Sequence, residues 1–516
     1  MKAINKILIS TVACATLASC GEDYFDIENA GIVSNETLEE IQASDPDAIL
    51  EVVAPLVVGL NNYTCEFNAG GQATESNPCH FDFGILGLFH CGDVMVDDIA
   101  FTTQGSGWFT YDYQLDYWDA QYVKPYVYWK IFYTIIQRAN EIISKIDENT
   151  ENADLRAYRG MALAYRAMSH AYLAQMYQQT YVGNEDAPGV PIILTTLEEG
   201  NVEGRATLRQ VYTQVEKDFK ASFGYLEGWV RPNKTMIDEQ VAKGLYARIC
   251  LVTNNWDDAI TYSKEAREGY PLFTESEVLS EDGSAFSNIN ASEWIWGADI
   301  TAETSTAFAS FFSFMCAFDE GYGGAAGNYQ QIDRNLFDQM SATDIRRQLY
   351  VNPGETVTAT YSDGSKVNLP TYTNLKFKKV NNWLADYVYM RASEMVLIEA
   401  EAKAQKGDQG GAATTLKELM ALRDPSWNRS VATVDEVYKQ RRLELWGEGF
   451  ALFDHLRLKK GINRAYEGSN HLSTCRYTIN AGSWYFLYQI PQTEIDNNAA
   501  LSETDQNPEP TGSKFQ

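Results

Sequence analysis

Apolar residues recur at three- and four-residue intervals along most of the chain, which predicts a mainly α protein. The first such stretch is 35–60, where Asn35 offers a cap and Leu38, Ile41, Ile49, Val53 and Leu56 keep helical spacing past Pro46. Helical order returns at Trp118 and runs to Ile146, with a break expected near Pro125. Further helices are predicted over Leu155–Tyr177, Leu208–Leu226 and Val434–Leu458. Within 240–271, Ala247, Trp256, Ala259, Ala266 and Pro271 occupy the small, aromatic, small, small and proline positions of a 34-residue helix-turn-helix repeat. A weaker copy contains Ala400, Gly407, Ala412 and Leu419 and ends at Asp424 and Pro425. Asn254–Asn255 and Lys406–Asp408 are the expected turns. Small residues suit these positions because paired helices must approach closely.

Two stretches interrupt this order. Residues 61–117 are rich in Gly, Asn, Asp and aromatics without sustained period, too long for a plain connection and therefore a candidate functional excursion. Residues 272–385 carry glycines at 321, 323, 324 and 327, with short strands expected around 355–380. The tail after Pro491 has no periodic apolar pattern. The expected organisation is one domain over 35–516, with a helical scaffold at 35–60, 118–271 and 386–460 and irregular binding regions at 61–117 and 272–385.

The N-terminus reads differently. Lys2 and Lys6 precede an apolar run from Ile7 to Ala18, which marks a secretory signal over 1–19. The run is shorter than the roughly 20 apolar residues of a membrane span. Leu17, Ala18, Ser19 and Cys20 resemble a bacterial lipobox, in which cleavage leaves the cysteine to carry lipid. Residues 20–34 then form a tether, and Glu22 and Asp23 resemble the acidic export tag of surface lipoproteins in Bacteroidetes. The other cysteines of the processed chain are Cys65, Cys79, Cys91, Cys250, Cys316 and Cys475. A Cys65–Cys79 bridge is expected in an oxidising compartment, and Cys250 belongs to an apolar helical face. No pair has CxxC spacing, so neither a zinc knuckle nor a redox dithiol is supported.

Composition narrows the function. Hydrophobic residues are 45% and charged residues 22%, which excludes a disordered or fibrous chain. The 41 basic and 70 acidic residues give a net charge of −29, which repels phosphate backbones and makes nucleic acid an unfavoured partner. With five histidines, a His-based metal site is unexpected, and no cofactor is implied. Aromatics reach 13%, with 31 Tyr and 11 Trp, so a large core or a binding surface must use them.

The stretch from Arg441, RRLELWGEGFALFDHLRL, sets Arg441, Glu444 and Glu448 on adjoining helical positions. Arginines interleaved with the acids hold both carboxylates ionised and remove the proton donor of an acid/base pair, so structural ion pairing is expected. Through Arg441, Arg442, Glu444, Leu445, Glu448, Gly449, Asp454 and Arg457 the stretch is similar to the C-terminal helix of the SusD/RagB family of Bacteroidetes outer-membrane glycan-binding lipoproteins. The ending IPQTEIDNNAALSETDQNP resembles the family's IPxxEIxxNxxLxQNP through Ile490, Pro491, Glu494, Ile495, Asn498, Leu501, Gln506, Asn507 and Pro508, with a longer gap before Gln506. Arg391, Glu394, Glu399, Ala400, Glu401 and Ala402 match a third element, and Gly160, Ala162, Arg166 and Ala167 a fourth. The matches run from residue 20 to 508 in the family's order. The resemblance implies a tetratricopeptide-like α-α superhelix with loop-built binding surfaces, a non-enzymatic capture function, and a SusC-like TonB-dependent transporter as partner.

The ligand site must come from the irregular regions. Residues 101–133 contain thirteen aromatics, and those before Trp118 fall outside any helical stripe. A sugar ring has an apolar C–H face and a hydroxyl edge, so it wants flat rings beside Asp, Asn, Arg or Gln. Trp108, Tyr111 and Tyr113 near Asp93 and Asp112 supply both. From the second region come Trp296, Tyr322, Asn328, Tyr329 and Trp383, where glycines would let backbone approach a ligand. The leading expectation is a surface lipoprotein that takes up neutral oligosaccharide. Capture of a peptide or other non-glycan nutrient, a peptide-binding repeat adaptor and a carboxylate-dependent glycosidase are the alternatives, the last without support from HExxH, GxSxG or GxxxxGK[ST].

Overall fold

The computed structural model describes residues 48–511 and 514, apart from 75–78, 105–107, 198–201, 307 and 379–382. The signal segment 1–19, Cys20, the tether 20–34 and the start of the helix expected from residue 35 lie outside the described residues. Met1–Ile49 and Leu50–Gln516 separate as two units, and the second is the one described below.

The periodic segments fold as helices whose starts are written in their caps. Helix α1 spans Ile49–Tyr63, α2 Ile85–Met95 and α3 Thr110–Tyr113. The scaffold begins with α4 (Val123–Lys145) and α5 (Ala153–Tyr177) and continues with α6 (Leu208–Leu226), α7 (Glu239–Thr253) and α8 (Trp256–Ala266). The short α9 (Phe311–Met315) interrupts before α10 (Ala392–Gln405), α11 (Gln409–Met420), α12 (Val434–Glu444) and α13 (Ala451–Arg457). Asn152, Asp238, Asn255, Asp408 and Thr433 each accept a backbone N–H of the turn they precede, and Thr207 with Gln210 closes a capping box on α6. Each helix from α4 to α8 packs on the next, and α10 then packs on α8, α11 and α12. The repeat alanines 247, 259, 266, 400 and 412 are fully buried, which lets these helices approach.

Four departures from the sequence reading have physical causes. Pro125 lies in the first turn of α4, where a missing N–H costs nothing, so no break occurs and the helix starts at Val123. The stretch 61–117 contains α2, whose every residue is buried and which therefore shows no apolar period. The helix expected over Val434–Leu458 is two helices, because Gly447 and Gly449 take φ of 73° and 90°, a conformation that ends α12. Cys65 and Cys79 are free, buried thiols rather than a disulfide.

Strands are few and short, in two-stranded antiparallel ladders. β1 (Ile99–Phe101) pairs with β3 (Gln330–Ile332), setting Ile99 opposite Ile332 and tying the first irregular region to the second. β2 (Trp294–Ala298) pairs with β6 (Tyr387–Arg391) at the entry to α10. β4 (Thr358–Thr360) and β5 (Lys366–Asn368) form the hairpin within the expected 355–380 window, and β7 (Ile462–Asn463) pairs with β8 (Thr478–Ile479). The tail is pinned despite its long gap: Gln506 exchanges two 2.8 Å hydrogen bonds with the backbone of Ile490, and the Asn507 amide donates to the carbonyls of Tyr177 and Tyr488.

The charged C-terminal motif is a buried ion network. Arg391 reaches Glu293 at 2.8 Å, Glu444 at 2.9 Å and Glu448 at 2.8 Å. Arg423 and Arg346 close on Glu444 from the other side, and Lys376 pairs with Glu448 at 2.5 Å. Burial opposes ionisation of Glu444, but Arg423, Arg391 and Arg346 overcome it and hold its carboxyl well below the usual range. Glu448 is depressed in the same way by Arg391 and Lys376. These acids staple β6, α12 and the loop before α13, and none is poised to give up a proton.

Candidate functional site

The two irregular regions meet in a cluster of half-exposed rings. Trp108 Nε1 donates to the Tyr322 hydroxyl at 3.0 Å, and His80 Nδ1 lies 2.8 Å from the same oxygen. The His80 ring stacks on Trp108 with centroids 5.1 Å apart and planes at 21°. Phe308, 46% exposed, stands 5.9 Å from both Tyr322 and Trp383. Burial pushes His80 below the ordinary imidazole value, so the ring is neutral at pH 7 and acts as a flat partner to the indole.

Each ring is held from beneath. Tyr322 stacks on Phe314 of α9 at 4.8 Å and 14°. The turn carrying it packs so tightly that a Cβ on Gly323 would lie 2.2 Å from the Phe314 carbonyl. Gly321 and Gly323 thus admit the backbone of α9 and Gly324 that of Asp319, not that of a ligand, and only Gly327 faces open space, which corrects the expectation for the first three. Lys124 of α4 donates to the Trp108 carbonyl at 2.9 Å while it pairs with Asp112 and lies over the Phe81 and Phe109 rings. Burial alone would lower the Lys124 pKa, but Asp112 more than compensates, so the ammonium stays charged.

Trp108, Tyr322 and Trp383 are thus brought together, and the other expected residues stand elsewhere. Tyr111 is 49% exposed but meets Tyr117 rather than Trp108. Tyr113 is buried between Phe101 and His471 with Arg464 over its ring. Trp296 is buried in β2, its indole N–H on the Thr235 carbonyl at 3.1 Å. Tyr329 is buried against Tyr361, with hydroxyls 3.2 Å apart. Asn328 is buried below the Tyr322 turn, its backbone N–H on the Tyr322 carbonyl and its side-chain oxygen accepting from Thr103. Apart from the exposed Tyr111, these are packing positions. His80 and Phe308 escaped sequence reasoning: the one is a single histidine, and the other opens an aromatic run, Phe308 to Phe314, that reads as core.

Asp93 is also structural. Its two oxygens accept the backbone N–H groups of Gly449 at 2.7 Å and Ala451 at 3.0 Å, capping α13, which has no cap of its own. Burial pushes its carboxyl up to about 7 despite those donors. Asp93→Asn should leave one of the two N–H groups facing an amide NH2 and cost about 1–3 kcal/mol of stability with sugar binding unchanged. Urea unfolding and a binding titration on the same variant check this, and lost binding at unchanged stability would return Asp93 to the ligand site.

A helical-repeat scaffold that holds a surface cluster of aromatic rings between two long excursions defines the class: a binding protein of the superhelical kind. Two family models match the chain, one described as starch-binding, associating with the outer membrane, over 88–251, and one as the SusD family over 325–509. The chain belongs to the SusD/RagB family. Its fold is similar to that of a SusD-like carbohydrate binding protein from Bacteroides vulgatus, at 24% identity and TM-score 0.73 over 90% of this chain and 99% of that one. A SusD superfamily protein from Bacteroides thetaiotaomicron is 21% identical with TM-score 0.69, over 89% and 100% of the two chains. Surface glycan-binding protein A from Bacteroides uniformis is 18% identical with TM-score 0.65, over 89% and 99%. No curated protein sequence matches. Among the described residues no helix is long and apolar enough to cross a membrane.

Proposed function

We propose that this protein is a lipid-anchored lipoprotein of the outer-membrane surface that captures neutral oligosaccharide on the Trp108–Tyr322 cluster and delivers it to a SusC-like TonB-dependent transporter. The observation that carries the reading is the ring cluster itself: His80, Trp108, Phe308, Tyr322 and Trp383 converge from both irregular regions and keep part of their faces exposed. Scattered exposed rings are ordinary on a protein surface, whereas a supported cluster suits a ligand with flat apolar faces. Family membership supports glycan as the ligand class and the outer membrane as the place. The net charge of −29 favours a neutral sugar over uronic or sulfated polymers. Capture rather than hydrolysis fits the motif acids, since Glu444, Glu448 and Asp454 are each clamped by arginine and held ionised.

The test is binding of the processed chain to a panel of neutral and acidic polysaccharides, with the products analysed for cleavage. Retention of a neutral polysaccharide without new reducing ends is expected; binding of peptides alone, or release of short sugars, would overturn the reading. The anchor is tested separately. Cys20→Ala should move the protein from the membrane fraction to the soluble fraction, and continued membrane attachment would remove the lipid from the proposal.

A further inference from the structure

Helix α4 has one face wholly buried in the scaffold and a second that is only partly so. Val127, Ile131, Ile135, Ala139 and Ile142 are buried on the side that packs with α5. The other side presents two adjacent rows at helical spacing, Tyr126, Lys130, Thr134 and Arg138 beside Trp129, Tyr133 and Gln137. A second aromatic stripe on one helix calls for a second partner. The rows line a cleft of about 600 Å³, walled across from them by Pro191 and by the short helix Gln492–Asn497. This volume falls within the ~300–1,000 Å³ of small-molecule sites, and the stripe from Tyr126 to Arg138 is roughly 18 Å long at 1.5 Å per residue.

The cleft offers the two kinds of surface a sugar requires. The half-buried rings of Tyr126 and Tyr133 supply the apolar surface, and Tyr133 is backed by the buried Trp129 at 4.7 Å, which itself stands edge-on to Tyr177 at 4.9 Å. Around them stand hydrogen-bonding groups without internal duties: among the described residues the Tyr126 hydroxyl, the Lys130 ammonium and the Gln137 amide make no hydrogen bond within the protein. Glu494, bonded through Oε1 to the Asn498 amide, adds a carboxylate on the opposite wall. Both signs of charge are present and neither dominates, with Lys130 and Arg138 of α4 balanced by Glu203 and Glu494, so a neutral polyhydroxylated ligand is served better than an ion.

We infer that the α4 cleft is a second oligosaccharide site, separate from the Trp108–Tyr322 cluster. It rests on the proposed function only for the ligand class. The line of rings Tyr111, Tyr117 and Tyr122, at 5.1 and 5.3 Å, reaches the start of α4 on the exposed surface.

The experiment uses the full processed chain and calorimetric titration with neutral hexasaccharides of α-1,4-glucan, β-1,4-glucan, β-1,4-mannan and β-1,4-xylan type. Trp129→Ala is avoided because that ring is buried in the scaffold; Tyr126→Ala and Gln137→Ala remove half-buried groups, and circular dichroism checks their folding. The wild type should take up two equivalents of at least one sugar. Each cleft variant should weaken one of them at least tenfold and leave the other, while Trp108→Ala does the converse. A single equivalent abolished by Trp108→Ala and untouched by both cleft variants would overturn the second site and keep the proposed function. A single equivalent lost only in the cleft variants would support the cleft and overturn the role of the ring cluster. Binding of none of these sugars would overturn both.

Discussion

Arg391→Met should destabilise the protein by about 3–5 kcal/mol at pH 7, the largest single-residue effect expected here. The guanidinium is buried and bonded to three carboxylates, those of Glu293, Glu444 and Glu448, as well as to the Glu444 carbonyl. Removing it leaves Glu293 without its 2.8 Å partner and two further acids short of neutralising charge. The sign of the pH dependence follows from the shifts. In the wild type the Glu444 and Glu448 carboxyls are held below their ordinary value. Their contribution is therefore complete above the unfolded value of about 4.3 and is lost as pH falls through the lower folded values. In the variant Glu444 keeps Arg423 and Arg346, but Glu448 is left with Lys376 alone against full burial, which then pushes its carboxyl up, so the variant's stability drops as pH rises above about 4. The deficit should be smallest near pH 4 and largest near neutrality. Arg391→Lys keeps a charge but not the fork that spans three acids, and should fall between the two. Urea midpoints at pH 4, 5.5 and 7 measure this; a deficit under about 1 kcal/mol, or one independent of pH, would show that the network is not a structural clamp.

The same residues explain what could be read in the chain beforehand. Helix α6 was legible to its ends because its apolar period is regular and Thr207–Gln210 signs its start. That Arg441, Glu444 and Glu448 would be ion-paired rather than catalytic was legible from their interleaving, but their partners were not: Arg441 pairs with Asp454, and Glu444 answers to Arg423, Arg391 and Arg346 from distant segments. Helix α2 was illegible because burial on all sides erases period. The single helix expected over Val434–Leu458 failed at Gly447 and Gly449, whose left-handed backbone brings Glu448 into the network between two helices. In the candidate site, residue type marked Trp108, Tyr322 and Trp383, but it marked Tyr113, Tyr329 and Trp296 equally. What separates the two sets is long-range: Tyr113 is covered by Arg464, Tyr329 meets Tyr361, and the Trp296 indole finds the Thr235 carbonyl. No local pattern announces such covering. His80 was missed for the complementary reason, since only the folded chain brings it against Trp108.

Trp108→Ala should weaken binding of the retained oligosaccharide by about 1–3 kcal/mol, roughly 5- to 150-fold, the cost typical of truncating an aromatic anchor at a binding hot spot. Its effect on stability should be smaller. The indole is half-buried, stacks on His80 and gives one hydrogen bond, so deletion costs about 1 kcal/mol for the lost bond and leaves the buried Phe314, Phe109 and Lys124 support in place. Tyr322→Phe separates two roles of the neighbouring ring. It keeps the stack on Phe314 but removes the hydroxyl that joins Trp108 to His80, so the rings remain while their mutual orientation loosens. A loss below about 1.5 kcal/mol is expected for that change, and Tyr322→Ala should cost more than Tyr322→Phe because the platform itself is gone. Titration and thermal unfolding on all three variants decide the matter. If stability falls while affinity holds, these rings are a plug that seals the irregular regions onto the scaffold, and the sugar must dock elsewhere.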